Sequence, residues 1–128
     1  STQNAPLAST TAETNTIAAA ILRDEEILDV GIVITGVSTD PFEIQFGRGA
    51  GNGDFVAAID VGDDAAIGTV YRVANGTLSW YTNANTEAKR RLTRGDVVTV
   101  TCDGDGSGAG RYLPFVLMRG AEPLDPIA

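Results

Sequence analysis

The chain has 128 residues, 43% of them hydrophobic, with 9 Lys and Arg against 17 Asp and Glu and no histidine. That is enough apolar side chain for one domain with its own core. The net charge of −8 argues against general binding to nucleic acid or an anionic membrane, both of which select basic surfaces. Without histidine the usual general base and the commonest metal ligand are missing, and Cys102, alone, has no disulfide partner within the chain. These features point to a non-catalytic domain of a reducing compartment that needs no cofactor. The apolar stretch 17–22 has no basic residue before it and runs into Arg23 and Asp24, so it does not read as a secretory signal. The uncharged run 73–86 is too short and too polar to cross a bilayer.

In chain order, residues 1–16 hold Ser, Thr, Asn and Ala but almost no large apolar side chain, and they read as an extended N-terminal arm. A partner surface would hold such an arm, and Pro6 and Leu7 are its candidate contacts. From residue 17 to 120 the dominant period is two, the mark of half-buried strands. A first strand is expected at 16–22. Val30, Ile32 and Ile34 alternate before Gly36; Phe42, Ile44 and Phe46 form the cleanest strand, bounded by Pro41 and Gly47. Phe55, Ala57, Ile59 and Val61 alternate next, and Asn75-Gly76 predicts a tight hairpin between strands at 69–73 and 77–81. Residues 85–92 offer at most one helical turn. Val98, Val100 and Cys102 follow a Gly-Asp turn, which points the thiol inward as a small hydrophobe. The last strand, 112–119, places Leu113, Phe115 and Leu117 on one face, with Pro114 expected at an edge. Residues 121–128, with two prolines, read as a short C-terminal tail. About eight short strands at roughly ten-residue spacing define an all-β antiparallel sandwich.

Several short motifs suggest chemistry. Asp103-Gly-Asp-Gly-Ser-Gly108 opens like a calcium loop, but Pro114 stands where the loop needs a bidentate Glu, so the expectation is a plain connection and no metal. Gly47 to Gly53 is glycine-rich without the Gly-Lys-Ser/Thr of a phosphate loop; Arg48 at its tip is a candidate partner contact, since guanidinium suits carboxylate recognition. Arg94-Gly95-Asp96 is read as a turn. Lys89, Arg90, Arg91 and Arg94 place four of nine basic residues within six positions, which is either a solvated face or a dock for an acidic partner. Glu25-Glu26 and Asp63-Asp64 are adjacent pairs that diverge on a strand or face water in a turn, which does not suit paired acid–base work. Of Trp80 and Tyr81 only one can point outward, and Tyr81 is the exposed candidate for stacking on a sugar.

The run 26–36, then 42–47, and above all Leu92-Thr-Arg-Gly-Asp-Val-Val-Thr-Val-Thr-Cys102, followed by a Gly-rich loop and residues 112–119, resembles the small β-sandwich decoration and head-fibre proteins of tailed bacteriophages. The resemblance implies a jelly-roll-like sandwich made in the host cytoplasm and carried on the outer capsid surface of the virion. It further implies a homo-trimer bridging neighbouring copies of the major capsid protein, with no nucleic acid, membrane or cofactor involved. A carbohydrate- or receptor-binding module of a head or tail fibre would use the same sandwich, with Tyr81 on its face.

Overall fold

In a computed structural model of the chain, residues 6–10, 12–49, 54–85, 87–104 and 109–120 are described. Alternating apolar side chains make strands here because each strand buries one face, and two such faces close on each other. Nine strands are present among the described residues: β1 (Leu7–Ala8), β2 (Glu13–Ala19), β3 (Glu25–Gly36), β4 (Phe42–Arg48), β5 (Val56–Val61), β6 (Val70–Arg72), β7 (Arg91–Leu92), β8 (Val97–Cys102) and β9 (Arg111–Gly120). They form two antiparallel sheets, β1-β9-β3-β6 with β7 also on β3, and β2-β8-β4-β5. The fold is a β-sandwich. Two 3-10 turns, Thr82–Ala84 and Glu87–Arg90, supply the helical character, and no described helix is long and apolar enough to cross a membrane.

The core draws on both sheets: Ile27, Val30, Ile32, Ile34 and Tyr112 from one, and Ile17, Phe42, Ile44, Phe46, Val98, Val100 and Cys102 from the other, each at most 1% exposed. Burying each large side chain stabilises by roughly 1.5–3 kcal/mol. The two layers meet at Phe42 and Tyr112, whose rings stack with centroids 5.5 Å apart and planes at 27°. Gly62, at φ 82°, is fixed by that ring, because a Cβ there would run into Phe42.

The expected strand of 42–47, the inward Cys102 and the short helical turn near 85–92 all appear. Other elements differ. The first strand begins at Glu13 and ends at Ala19, so part of the expected arm of residues 1–16 belongs to the sandwich: β2 pairs with β8 from Glu13↔Cys102 to Ala19↔Val97. Its polar residues escaped the apolar pattern because β2 borders its sheet and only Ile17 and Ala18 are buried within it. Leu7–Ala8 pairs with β9, Leu7 opposite Tyr112. Residues 1–5 and the expected tail at 121–128 lie outside the described residues.

In β5 one extra residue enters between the Ile44↔Ile59 and Phe46↔Val56 pairs, so Phe55 and Val56 are both buried and Ala57 faces solvent, breaking the expected alternation. Asn75-Gly76 makes its turn, with Gly76 N–H donating to Val73 O at 3.0 Å, but residues 77–81 form no return strand. Leu78 instead drops into the core and Trp80 packs beside it.

β9 runs with the opposite face inward from that expected: Tyr112, Pro114 and Val116 are buried while Leu113, Phe115 and Leu117 face outward. Both sets are apolar, so a period of two gives no preference. The choice falls to the partners, Tyr112 having Phe42 to stack on while Phe115 lies over Gly31, where a Cβ would sit 2.6 Å from the ring. Pro114 falls in the stretch of β9 that has β3 on one side and no described strand on the other, the edge setting its missing N–H requires.

Candidate interaction sites

The basic cluster is the first sequence-derived site, and the fold divides it. Arg48 is the last residue of β4 and, rather than standing at a loop tip, folds back: its Nη2 donates to the carbonyls of Lys89 at 3.3 Å and Arg91 at 3.1 Å. Its guanidinium carbon stands 5.7 Å from the centre of the Phe55 ring, and its backbone N–H donates to Asp54 Oδ2 at 3.3 Å. Loop tips attract partner contacts only when their side chains are free, and most of this one is engaged. Its Nε is buried without a described hydrogen-bond partner, a state that costs roughly 1–3 kcal/mol.

Arg90 is likewise internal. It donates from Nη1 to Ala84 O at 3.0 Å and from Nε to Ile27 O at 3.3 Å, and its guanidinium lies 4.6 Å from the Trp80 ring centre. This side chain ties the 82–90 segment to β3. Arg91 is half-buried in β7 opposite Glu26. Lys89 and Arg94 are exposed, the latter donating its backbone N–H to Asp24 Oδ1 at 2.9 Å. The cluster therefore presents Lys89, Arg94 and part of Arg91 outward and uses Arg48 and Arg90 as internal clamps.

Next to those clamps is a pocket of about 270 Å³ lined by Arg48, Asp54, Phe55, Asn83 and Lys89. Arg48 and Lys89 stood out in the sequence and Asn83 did not, since it falls between the expected strand at 77–81 and the expected turn at 85–92. No spacing rule joins residues 48, 83 and 89; the end of β4 and the two 3-10 turns do so only in the fold.

The second surface is open and sets exposed apolar side chains beside Arg23 and Glu25. Between the end of β2 and the edge of β9 is a groove of about 780 Å³ whose lining includes Ile21, Leu22, Arg23, Val116, Leu117 and Met118. Leu22 is 86% exposed and Ile21 58%. From residue 113 to 120, β9 pairs with no described strand on this side, and the Arg23 side chain lies against Gly120. Leu7 is half-buried on the same edge and packs against the core, while Pro6 before it is exposed.

The remaining motifs resolve into structural duties. Asp103 Oδ1 accepts the Glu43 N–H at 2.8 Å, and residues 105–108 of the glycine-rich loop are outside the described residues. Gly95 takes φ 100° in its turn and donates to Ala20 O at 2.7 Å, while Asp96 Oδ2 accepts the Thr93 N–H at 2.9 Å. Glu26 is 3% exposed and meets Arg119 at 2.7 Å, whereas Glu25 is more exposed, so the two carboxylates serve different surroundings. Asp63 and Asp64 are exposed in a turn. Tyr81 is 45% exposed, and with Ile59 and Trp80 it lines a shallow hollow of about 260 Å³.

Two buried polar groups had no signature in the sequence. Asp29 Oδ2 receives Arg72 Nε and Nη2, each at 2.6 Å, and its Oδ1 accepts the Ala74 N–H at 3.1 Å; Arg72 in turn lies 5.1 Å from the centre of the Phe115 ring. Tyr112, fully buried beside Cys102, has its phenol pushed well above its ordinary range by burial, with Cys102 and Glu13 adding to the effect.

Comparison with known proteins finds no family model, no curated protein and no solved structure that matches this chain.

Proposed function

We propose that this chain is a capsid decoration protein of a tailed bacteriophage, binding the outer surface of the major capsid shell as a trimer and stabilising it by bridging subunits. The jelly-roll-like description of its sandwich belongs to the same reading, as does a place on the outside of the virion. The observation that carries it is the open side of β9. An exposed, apolar strand edge is a pairing hazard in a free protein unless something covers it, and here it borders the groove holding Ile21 and Leu22. β9 and the neighbouring β3 also bear apolar side chains on both faces, with Leu117 47% and Leu28 46% exposed on the outside. Strands apolar on both faces normally have both covered. The resemblance of residues 26–36, 42–47 and 92–119 to decoration proteins supplies the kind of surface that would cover them.

On this reading the mechanism is mechanical. Each sandwich adds buried area across a join between capsid subunits, and once one contact is made the next forms at high effective concentration, so modest contacts sum to firm attachment. A second reading, a carbohydrate- or receptor-binding module of a head or tail fibre, draws on the hollow beside Tyr81; a glycan array reads it directly. The test of the first reading is purification of the native protein with whatever accompanies it. A major capsid subunit at a fixed ratio is the expected companion, and its consistent absence overturns the proposal.

A further inference from the structure

The pocket between the end of β4, Asp54-Phe55 and the 3-10 turns has a volume of about 270 Å³. Sites for whole small ligands run to ~300–1,000 Å³, so this one is sized for a single side chain or a small ion. Among the described residues its ionisable lining is Arg48, Lys89 and Asp54, a net charge of +1 in a chain whose total is −8. Phe55, 1% exposed, gives it an apolar wall.

Two of the side chains lining it carry donors with no described acceptor. Arg48 spends its Nη2 on the Lys89 and Arg91 carbonyls and its Nε is enclosed by the protein, so what it offers the pocket is its charge. The Asn83 amide and the Lys89 ammonium, both on exposed residues, hold no acceptor among the described residues. Because the Arg48 guanidinium is pinned by two carbonyls, the position of its charge is set before anything binds, which lowers the ordering cost of recognising an anion.

We infer that this pocket receives the carboxylate of an aspartate or glutamate side chain from a protein partner. A monoanion matches the +1 lining. Inorganic phosphate, at about −1.5 to −2 near neutral pH, brings more charge than the pocket balances. Arg91, whose carbonyl lies against Arg48, adds to the positive field that steers an acidic surface towards this end of an otherwise acidic molecule. The source of the carboxylate rests on the reading of the chain as a protein that docks on a protein surface; the chemistry of the pocket does not.

The experiment is a side-chain NMR titration of the full chain, following the Arg48 Nε–H and the Asn83 amide, with N-acetylglutamate and N-acetylglutamine, each blocked at its α-carboxyl as the N-methylamide so that only the side chain differs in charge, and inorganic phosphate as separate probes. N-acetylglutamate is expected to shift both signals saturably, N-acetylglutamine to leave them unmoved, and phosphate to bind more weakly than the carboxylate. Lys89→Glu, a surface change, is expected to weaken N-acetylglutamate about tenfold with the backbone spectrum otherwise preserved. A flat titration, equal response to the amide, tighter phosphate binding, or undiminished affinity in Lys89→Glu overturns the inference. If the pocket binds N-acetylglutamate but no capsid subunit accompanies the native protein, the capsid reading fails and the pocket stands. If the subunit is present and the titration is flat, the pocket fails and the capsid reading stands.

Discussion

Removing Arg72 is expected to cost more stability than removing the charge of Asp29, although the two form one ion pair. Asp29 has a side chain 4% exposed, and both Arg72 nitrogens reach the same oxygen at 2.6 Å. Arg72 is 32% exposed and can turn to water. In Arg72→Met the carboxylate stays buried with only the Ala74 N–H to satisfy it; breaking a fully buried pair costs about 3–5 kcal/mol, and the partial exposure of Arg72 brings the expected loss down to ~2–4 kcal/mol. Methionine still covers the Phe115 ring, so lost packing contributes little. In Asp29→Asn the side-chain oxygen can still accept from Ala74 and the guanidinium regains water, for a loss of ~1–2 kcal/mol. Urea unfolding of both single variants and the double variant, followed by circular dichroism and Trp80 fluorescence, measures the ranking and a coupling energy expected at about 1 kcal/mol or more. Arg72→Met within ~0.5 kcal/mol of the parent, or milder than Asp29→Asn, refutes the reasoning.

Other perturbations follow from the same geometry. Gly31→Ala drives a Cβ into the Tyr71 carbonyl and to 2.6 Å from Phe115, and is expected to cost ~1–3 kcal/mol or more by the same unfolding assay; a neutral change would mean that Phe115 does not lie over Gly31. Arg90→Gln loses the contacts to Trp80, Ala84 O and Ile27 O and is expected to destabilise by ~1–3 kcal/mol with a change in Trp80 fluorescence; an unchanged spectrum and midpoint would contradict its role as a clamp. Tyr112 keeps its proton in the folded state beyond the pH at which the unfolded chain gives it up, near the ordinary value of 10.0. Its contribution is therefore complete below pH ~10 and falls with rising pH above that by up to ~1.4 kcal/mol per unit. Tyr112→Phe removes this slope, so a parallel pH profile in the two proteins would show that the phenol is not held neutral. Phe42→Asp places a charge against the Tyr112 ring in the core and is expected to abolish folding, read as loss of the cooperative melt; an unchanged melting curve would contradict the register of β4.

What the sequence made legible depended on whether one face of a strand was polar. In β4, Glu43 and Gln45 alternate with Phe42, Ile44 and Phe46, and the strand and its inward face both emerge from that pattern. β9 has apolar residues on both faces, so the same pattern located the strand and chose the wrong face, a decision made by Gly31 and Phe42 from other strands. β2 was expected three residues too late, at 16–22 in place of Glu13–Ala19, because border strands need bury only part of a face. The residues 77–81 carry strand-like spacing, but Leu78 packs downward and Trp80 is held by Arg90, contacts that depend on segments far along the chain. The basic cluster was visible as composition; that Arg48 and Arg90 are spent internally while Asn83 joins Lys89 at a pocket was not, because hydrogen bonds to distant carbonyls leave no local trace. Asp29 and Arg72, 43 positions apart, are hidden for the same reason.

Electron cryomicroscopy of the native assembly that carries this chain tests the central proposal most directly. The account predicts the two-sheet sandwich on the exterior of an icosahedral shell, at junctions between major capsid subunits, with the β9 side and its groove covered. A sandwich found at a fibre tip, or on the shell with β9 and the groove facing solvent, contradicts it.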